Sequence, residues 1–294
     1  MKLPSVTIKN LLEAGVHLGH KTFRWNPKMN KFIFSSNKSI HIIDLVQTLE
    51  LTKAALTKIH ECISGGGKIL FVSTKKQAAD SIANLAKETS QHYVNHRWLG
   101  GMLTNWKTIS NSIKRYKKLS LDLKKENTGF TKKEILKMGI QRDKLERSLG
   151  GISEMKNIPD MIFIIDTNIE ELAVKESIKL NIPIVAILDT NSDPDGISYP
   201  IPGNDDARRA INLYCDLIKK TILDAQSNIS KSENPKDKIA AEPHAEEEFE
   251  KEKPKKDNKK EKKTEKSKEK IKVVKKISKS IFSKVKSLAT KKTK

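Results

Sequence analysis

KILFVSTKKQAADSIANLAKET, residues 68–89, runs from a short stretch rich in Ile, Leu, Phe and Val directly into a segment of helical periodicity. KILFVST (68–74) is predicted to be a strand and KKQAADSIANLAKET (75–89) the helix behind it. The same alternation recurs along the chain. MIFIID (161–166) precedes the helical pattern NIEELAVKESIKL (168–180). IPIVAILD (182–189) is followed by a long turn-rich loop and then DDARRAINLYCDLIKKTIL (205–223). A further helix, LVQTLELTKAALTKIHECI (45–63), ends at Gly65-Gly66-Gly67 and feeds the first of these strands. Strands alternating with helices mark βαβ units around a parallel sheet, and the pattern predicts a three-layer α/β sandwich.

Between Met102 and Ser148 the strand signal disappears. Trp106, Ile109, Ile113 and Tyr116 recur at intervals of three and four, and Ile135, Met138, Leu145 and Leu149 at three, seven and four. Such spacings form the seam of a coiled coil, so residues 102–150 are expected to be an inserted antiparallel helical hairpin that turns near Asn127-Thr128-Gly129. Leu99-Gly100-Gly101 opens the insertion and Leu149-Gly150-Gly151 closes it. Paired glycines tolerate positive φ and close backbone approach, as the two ends of an insertion require. The sandwich is then assembled from 1–101 and 151–227. In VNHRWLGGMLTNW (94–106), Val94 is expected to end a short strand and Trp106 to pack. For His96, Arg97 and Trp98 two readings stand: they pin hairpin to sandwich, or they meet RNA.

Composition divides the chain differently. Of 57 Lys and Arg and 36 Asp and Glu in 294 residues, 23 Lys and 12 acidic residues fall between Lys231 and Lys294, where Phe249 and Phe282 are the only aromatics. Low hydrophobicity with high charge cannot offset chain entropy, so the extension 228–294 is expected to be mostly disordered. One piece of it, IKVVKKISKSIFSKVKSL (271–288), lines up Val274, Ile277, Ile281, Val285 and Leu288 and is expected to fold as an amphipathic helix on contact with RNA. Both regions are positive, with a net charge of +21 over the whole chain and a pI near 9.7. That surplus favours a nucleic-acid partner over a merely soluble basic protein. Cys62 and Cys215 form no CxxC pair and are expected to be buried thiols in a reducing compartment. The N-terminus MKLPSVTIKNLLEAG lacks an apolar signal core, and no apolar run approaches about 18 residues. A cytoplasmic location with no membrane span is therefore expected.

The glycine-rich segments do not fit a nucleotide site. Gly65-Gly66-Gly67-Lys68 precedes a strand, whereas a phosphate loop follows one, and neither LGG tripeptide matches GxGxxG. LDTNSDPDG (188–196) offers hard oxygen ligands but not the spacing of an EF-hand. Two readings stand for it: a structural Mg²⁺ near Asp189, Asp193 and Asp205, or an Asx-rich turn capping the helix that starts near Asn204. No other cofactor is expected. His17 and His20 are three apart, but Gly15 and Gly19 break the helix that would align them on a metal. No catalytic triad or carboxylate pair emerges, and the chain is not expected to be an enzyme.

GHKTFRWNPKMNKFIF (19–34) interleaves Lys21, Arg24, Lys28 and Lys31 with Phe23, Trp25, Phe32 and Phe34. Cations neutralise phosphates and flat rings stack on unpaired bases, so Lys21, Arg24, Trp25, Lys28 and Lys31 are expected to bind RNA, with His96 and Arg97 as further contacts. Phe32 and Phe34, flanking Ile33 in a strand-like run, are expected to be core. Taken in order, LLEAGVHLGHKTFRWNPKM, IHIIDL, KILFVSTKK, VNHRWLGGMLTNWKTI, LGGI, DTNSDPDG and IPGNDDARRAI resemble the bacterial-type ribosomal protein S-two family of the small ribosomal subunit. The resemblance covers roughly Leu11 to Leu223. It implies a flavodoxin-like (Rossmann-like) domain with a protruding helical hairpin, bound to small-subunit ribosomal RNA between head and body. It also implies contact with other small-subunit proteins, including help in docking ribosomal protein S-one, and no catalysis. The extension from about Asn228 looks longer than the family's usual C-terminus, and the resemblance gives it no role.

Overall fold

A computed structural model describes residues 4–124 and 130–232. The expected hairpin turn at 127–129 and the amphipathic segment 271–288 lie outside the described residues. The chain enters through α1 (Ile8–Glu13) and three short strands, β1 (Leu18–Lys21), β2 (Ile33–Asn37) and β3 (Ile40–Ile43). Helix α2 (Leu45–Ser64), N-capped by the Asp44 carboxylate, leads to β4 (Ile69–Val72), α3 (Lys76–Glu88) and β5 (His92–Val94). The hairpin helices α4 (Trp106–Asp122) and α5 (Lys132–Leu149) follow, then β6 (Met161–Ile165), α6 (Glu171–Lys179), β7 (Ile184–Leu188), β8 (Tyr199–Pro202) and α7 (Arg208–Ser232).

Strands β4 to β8 form one parallel sheet in the order β5-β4-β6-β7-β8, which is the flavodoxin-like arrangement 2-1-3-4-5. Every residue of β4, β6 and β7 is buried, which is why these strands read as unbroken apolar runs. Alternate side chains serve opposite layers. Ile69, Phe71, Phe163, Ile165, Val185 and Ile187 pack with α2, α3 and α7, and the Phe71 and Phe163 rings meet edge to face with centroids 5.7 Å apart. Leu70, Val72, Ile162, Ile164, Ile184 and Ala186 pack on the other side with Ala173 of α6.

One helix cannot cover that second face. The hairpin's root completes it: Trp98, Met102, Leu103, Ile109, Ile113, Leu149 and Ile152 all join the same cluster. The predicted seam is therefore buried only where the sheet backs it. Trp106, Tyr116, Met138 and Leu145 are half-buried, while Ile135 is 42 % exposed and departs from the expected seam. Two helices alone have no third surface to close over side chains distant from the sheet.

Strands β1, β3 and β8 carry no clear signal in the sequence, and β2 shows only as the strand-like run around Ile33. The loop after β7 contains β8, an edge strand with Pro200 and Pro202. The N-terminal region folds into an antiparallel sheet ordered β1-β3-β2, whose β2–β3 turn holds Lys38 and Ser39 at φ +47° and +62°. That is the two-residue turn hairpins favour, built without the Asn-Gly or Asp-Gly pair that announces it. Helix α7 also runs past the expected end at Leu223, to Ser232.

The two glycine pairs act through one member each. Gly101 has φ +80°, in the left-handed region. Gly151 lies so close to β5 that a Cβ there would land on the Tyr93 carbonyl oxygen. A Cβ on Gly100 would meet nothing within 4 Å. Gly151→Ala is expected to cost about 1–3 kcal/mol by urea denaturation, and Gly100→Ala close to nothing. Equal midpoints for the two variants would remove the close-approach account of the second pair.

Candidate nucleic-acid interface

Segment 19–34 is clamped to the sandwich before it projects anything. The His20 N–H donates to Thr190 Oγ1 (2.9 Å) and the Asn26 N–H to the Thr190 carbonyl (2.8 Å). Gly19 permits this approach, since a Cβ there would come within 2.6 Å of Thr190 Cγ2. Met29 and Phe32 anchor the segment in the second core cluster, and Asn26 caps the short 3₁₀ turn Pro27–Phe32. What remains outside is basic and aromatic. Lys21, Arg24 and Lys31 are exposed, with Phe23 at 72 %, Trp25 at 37 % and Phe34 at 76 %. Phe32 is core as expected, but Phe34 is not: it lies on the open face of β2, opposite the side that packs. The Arg24 guanidinium lies 5.4 Å from the Phe23 ring centroid, and the Trp25 ring rests at 5.4 Å from that of His41.

Lys28 differs from the other cations. Its ammonium is 2.8 Å from Asp193 Oδ2 and 2.6 Å from Asp195 Oδ2. All three side chains are exposed, so the pairs are weak and open to exchange. Lys21 and Arg24 line one cleft of about 350 Å³ with Phe23, His20 and Asp206, whereas His96 lines a separate cleft of about 450 Å³ beside Lys87 and Arg147. His96 and Arg97 are exposed. Trp98 is not: it is 6 % exposed and donates from Nε1 to Glu176 Oε1 at 3.1 Å.

Glu176 is the joint. Its carboxylate also accepts the N–H groups of Gly101 (2.7 Å), Leu103 (3.0 Å) and Thr104 (3.1 Å), tying α6 to the strand-to-hairpin crossing. Burial raises the cost of its charge, but these donors outweigh it and hold the carboxyl below the ordinary glutamate range. No sequence signal marks it, because its partners, three backbone N–H groups and the Trp98 and Thr104 side chains, lie more than seventy positions away.

The crevice at the carboxyl ends of the strands, where folds of this order bind ligands, is filled by the chain's own side chains. Lys75 Nζ lies 3.1 Å from Asp166 Oδ2, 2.8 Å from Asp205 Oδ1 and 2.6 Å from Asp206 Oδ1. Burial opposes this ammonium, but the carboxylates hold it protonated, well above the ordinary lysine range. Asp205, fully buried and in the field of Asp166 and Asp189, is pushed up to about 7. The Thr74 N–H, in the βα turn that presents donors to a phosphate in nucleotide-binding relatives of this fold, donates to Glu170 Oε1 at 2.6 Å. Asp189 and Asp205 do converge, but with His20 and Asp206; Asp193 is drawn off to Lys28. The Asx turn ahead of α7 comes from Asn204 and not from residues 188–196: Asn204 Oδ1 accepts the Asp206 and Ala207 N–H groups, while Asp193 Oδ1 accepts the Asp195 N–H within its own loop. Cys215 is buried and its thiol pushed up to about 12, whereas Cys62 is only half-buried.

Residues 11–225 match the family described as ribosomal protein S2. The chain belongs to the ribosomal protein S2 family. Among curated relatives, the small ribosomal subunit protein uS2 of Parvibaculum lavamentivorans is 54 % identical over 246 residues, covering 84 % of this chain and 97 % of the relative. That of Phenylobacterium zucineum is 59 % identical over 224 residues, covering 76 % of each. Family membership assigns the chain a structural part in translation, in keeping with a crevice already occupied by Lys75. No helix among the described residues is long and apolar enough to cross a membrane.

Glu176→Gln places an amide where one carboxylate oxygen accepted N–H groups. Its cost is expected to be about 2 kcal/mol at neutral pH, as for hydrogen bonds to a charged group. Because the folded-state pKa of Glu176 is depressed, its contribution is present above the ordinary glutamate value and lost as pH falls below it. The stability gap between wild type and variant, measured by denaturation from pH 7 down to pH 3, should therefore close in acid. A gap that stays constant would show that the charge is not what holds the joint.

Proposed function

We propose that the chain is a structural constituent of the small ribosomal subunit, working at the ribosome in the cytoplasm, and that segment 19–34 binds ribosomal RNA between head and body. The observation that carries this is a clamped loop whose apolar anchors Met29 and Phe32 are buried while Lys21, Arg24, Lys31, Phe23, Trp25 and Phe34 are exposed. Lys21, Arg24 and Lys31 are placed to neutralise phosphates, and Phe23, Trp25 and Phe34 to stack on unpaired bases. Exposure of His96 and Arg97, in contrast to Trp98, supports RNA contact there too. Lys28 becomes available when a phosphate displaces Asp193 and Asp195.

A second contact is favoured by the hairpin. Leu121, Ile135, Leu136 and Ile140 are 42–66 % exposed on a surface otherwise rich in lysine, which suits a protein partner. The resemblance supports ribosomal protein S-one docking with help from this protein. In this reading the sandwich (1–101 and 151–227) meets RNA, the hairpin (102–150) meets protein, and the Lys-rich extension (228–294) adds phosphate contacts.

RNA affinity should fall steeply with salt. Arg24→Ala is expected to reduce the slope of log K against log salt by about 0.7–0.9, and Asp193→Asn with Asp195→Asn to strengthen binding by freeing Lys28. Filter binding to small-subunit ribosomal RNA across salt concentrations tests both, and a slope unmoved by Arg24→Ala counts against the assignment.

A further inference from the structure

His41 lies on β3, the central strand of the order β1-β3-β2, and both of its ring nitrogens are buried without a hydrogen-bond partner from the chain. A neutral imidazole carries one donor and one acceptor, so a change of tautomer moves the deficit between the nitrogens and does not remove it. Buried polar atoms are nearly always satisfied, and an orphaned one costs stability. The Trp25 ring rests beside this imidazole, 5.4 Å from centroid to centroid and tilted by 43°, so the pair is not a parallel stack. Trp25 is also 37 % exposed, which leaves its outer face open to a second ring. On its C-terminal side the backbone is tied, because the Asn26 N–H donates to the Thr190 carbonyl at 2.8 Å. The indole therefore leaves His41 by turning about its own side-chain bonds, with the chain staying in place.

The chemistry of the deficit selects the ligand group. A phosphate oxygen only accepts, so it serves the protonated nitrogen alone. A ribose 2′-hydroxyl both gives and takes a hydrogen bond, so it serves whichever nitrogen it reaches, and it is the group by which a protein tells RNA from DNA. We propose that an unpaired nucleotide stacks on Trp25 and draws it off His41, and that His41 then pairs with the ribose 2′-hydroxyl of that nucleotide. In this arrangement Lys21, Arg24 and Lys31 attract any single strand through its phosphates, and His41 supplies the preference for RNA. The inference rests on the reading that segment 19–34 binds RNA, and it adds a specificity-determining residue from outside that segment.

The test uses the full chain with two ligands: the ribosomal RNA fragment that the chain protects from nuclease, and the same base sequence as single-stranded DNA. Wild type is expected to bind the RNA more tightly. His41→Phe keeps a ring beside Trp25 without the nitrogens, and should lose about threefold to tenfold in RNA affinity, the range of one hydrogen bond, with DNA affinity unchanged. Equal losses for both strands put His41 on a base or a phosphate and overturn the ribose assignment, as does no loss at all. Two measurements do not depend on the folding of that variant. Single 2′-deoxy substitutions along the protected RNA, read with wild type, should find one position that costs the same factor; no such position refutes the pairing. Trp25 emission, taken as the difference between wild type and Trp25→Phe, should change when RNA is added; unchanged emission refutes the opening. RNA binding indifferent to Arg24→Ala sinks the reading of segment 19–34 and this inference with it. Binding that needs Arg24 but keeps its RNA-to-DNA ratio in His41→Phe sinks this inference alone.

Discussion

The ammonium of Lys75 sits among the carboxylates of Asp166, Asp205 and Asp206, and the carboxyl edge of the sheet is organised around it. A buried charge is tolerable only with close partners, and here they come from the end of β6 and the turn before α7, while the lysine follows β4. The same contact therefore fixes three elements. Asp166 adopts φ +66°, a conformation uncommon for a non-glycine residue, and its other oxygen accepts the Asn168 and Ile169 N–H groups that stabilise the turn. With the crevice closed by its own ion pairs, the fold's usual ligand position is converted into structure. The small antiparallel sheet and the loop it carries leave Phe23, Trp25 and Phe34 exposed.

That loop and the hairpin are held by different physics. Segment 19–34 is anchored by buried Met29 and Phe32 and by backbone bonds to Thr190, so its exposed rings are presented by a rigid base. The hairpin is held at its root, where Ile109, Ile113 and Leu149 enter the sandwich core and Glu176 gathers the N–H groups of the crossing. Away from the sheet, apolar side chains of α5 such as Leu136 and Ile140 are left on the surface. Among the described residues, the hairpin therefore shares the sandwich core at its root, and its more distant apolar side chains stay exposed.

Charge along the chain is likewise not uniform in effect. Lys21, Arg24 and Lys31 are exposed, but Lys28 is held by Asp193 and Asp195, so four cations that look alike in sequence differ in the free protein. Weak exposed pairs of this kind trade readily for phosphate.

The sequence by itself determined the parallel sheet, because Ile-Leu-Phe-Val, Met-Ile-Phe-Ile-Ile and Ile-Val-Ala-Ile-Leu must be buried on both faces and the helices between them carry one apolar stripe each. It also marked the inserted hairpin and the glycine pairs at its two ends, but which member of each pair matters, Gly101 for its positive φ and Gly151 for its approach to Tyr93, only the structure decided. It showed β2 only as a strand-like run and missed β1 and β3, because the Lys38-Ser39 turn carries no glycine, and it missed β8 because prolines masked an edge strand. Only the tertiary structure decided that Phe34 faces outward, that Asp193 joins Lys28 and not Asp189, and that His20 and Asp206 meet Asp189 and Asp205. The same holds for Glu176 and Lys75. Their partners lie tens of residues away or are backbone groups, and periodicity reports only which face of an element is buried, never which distant atom it will meet.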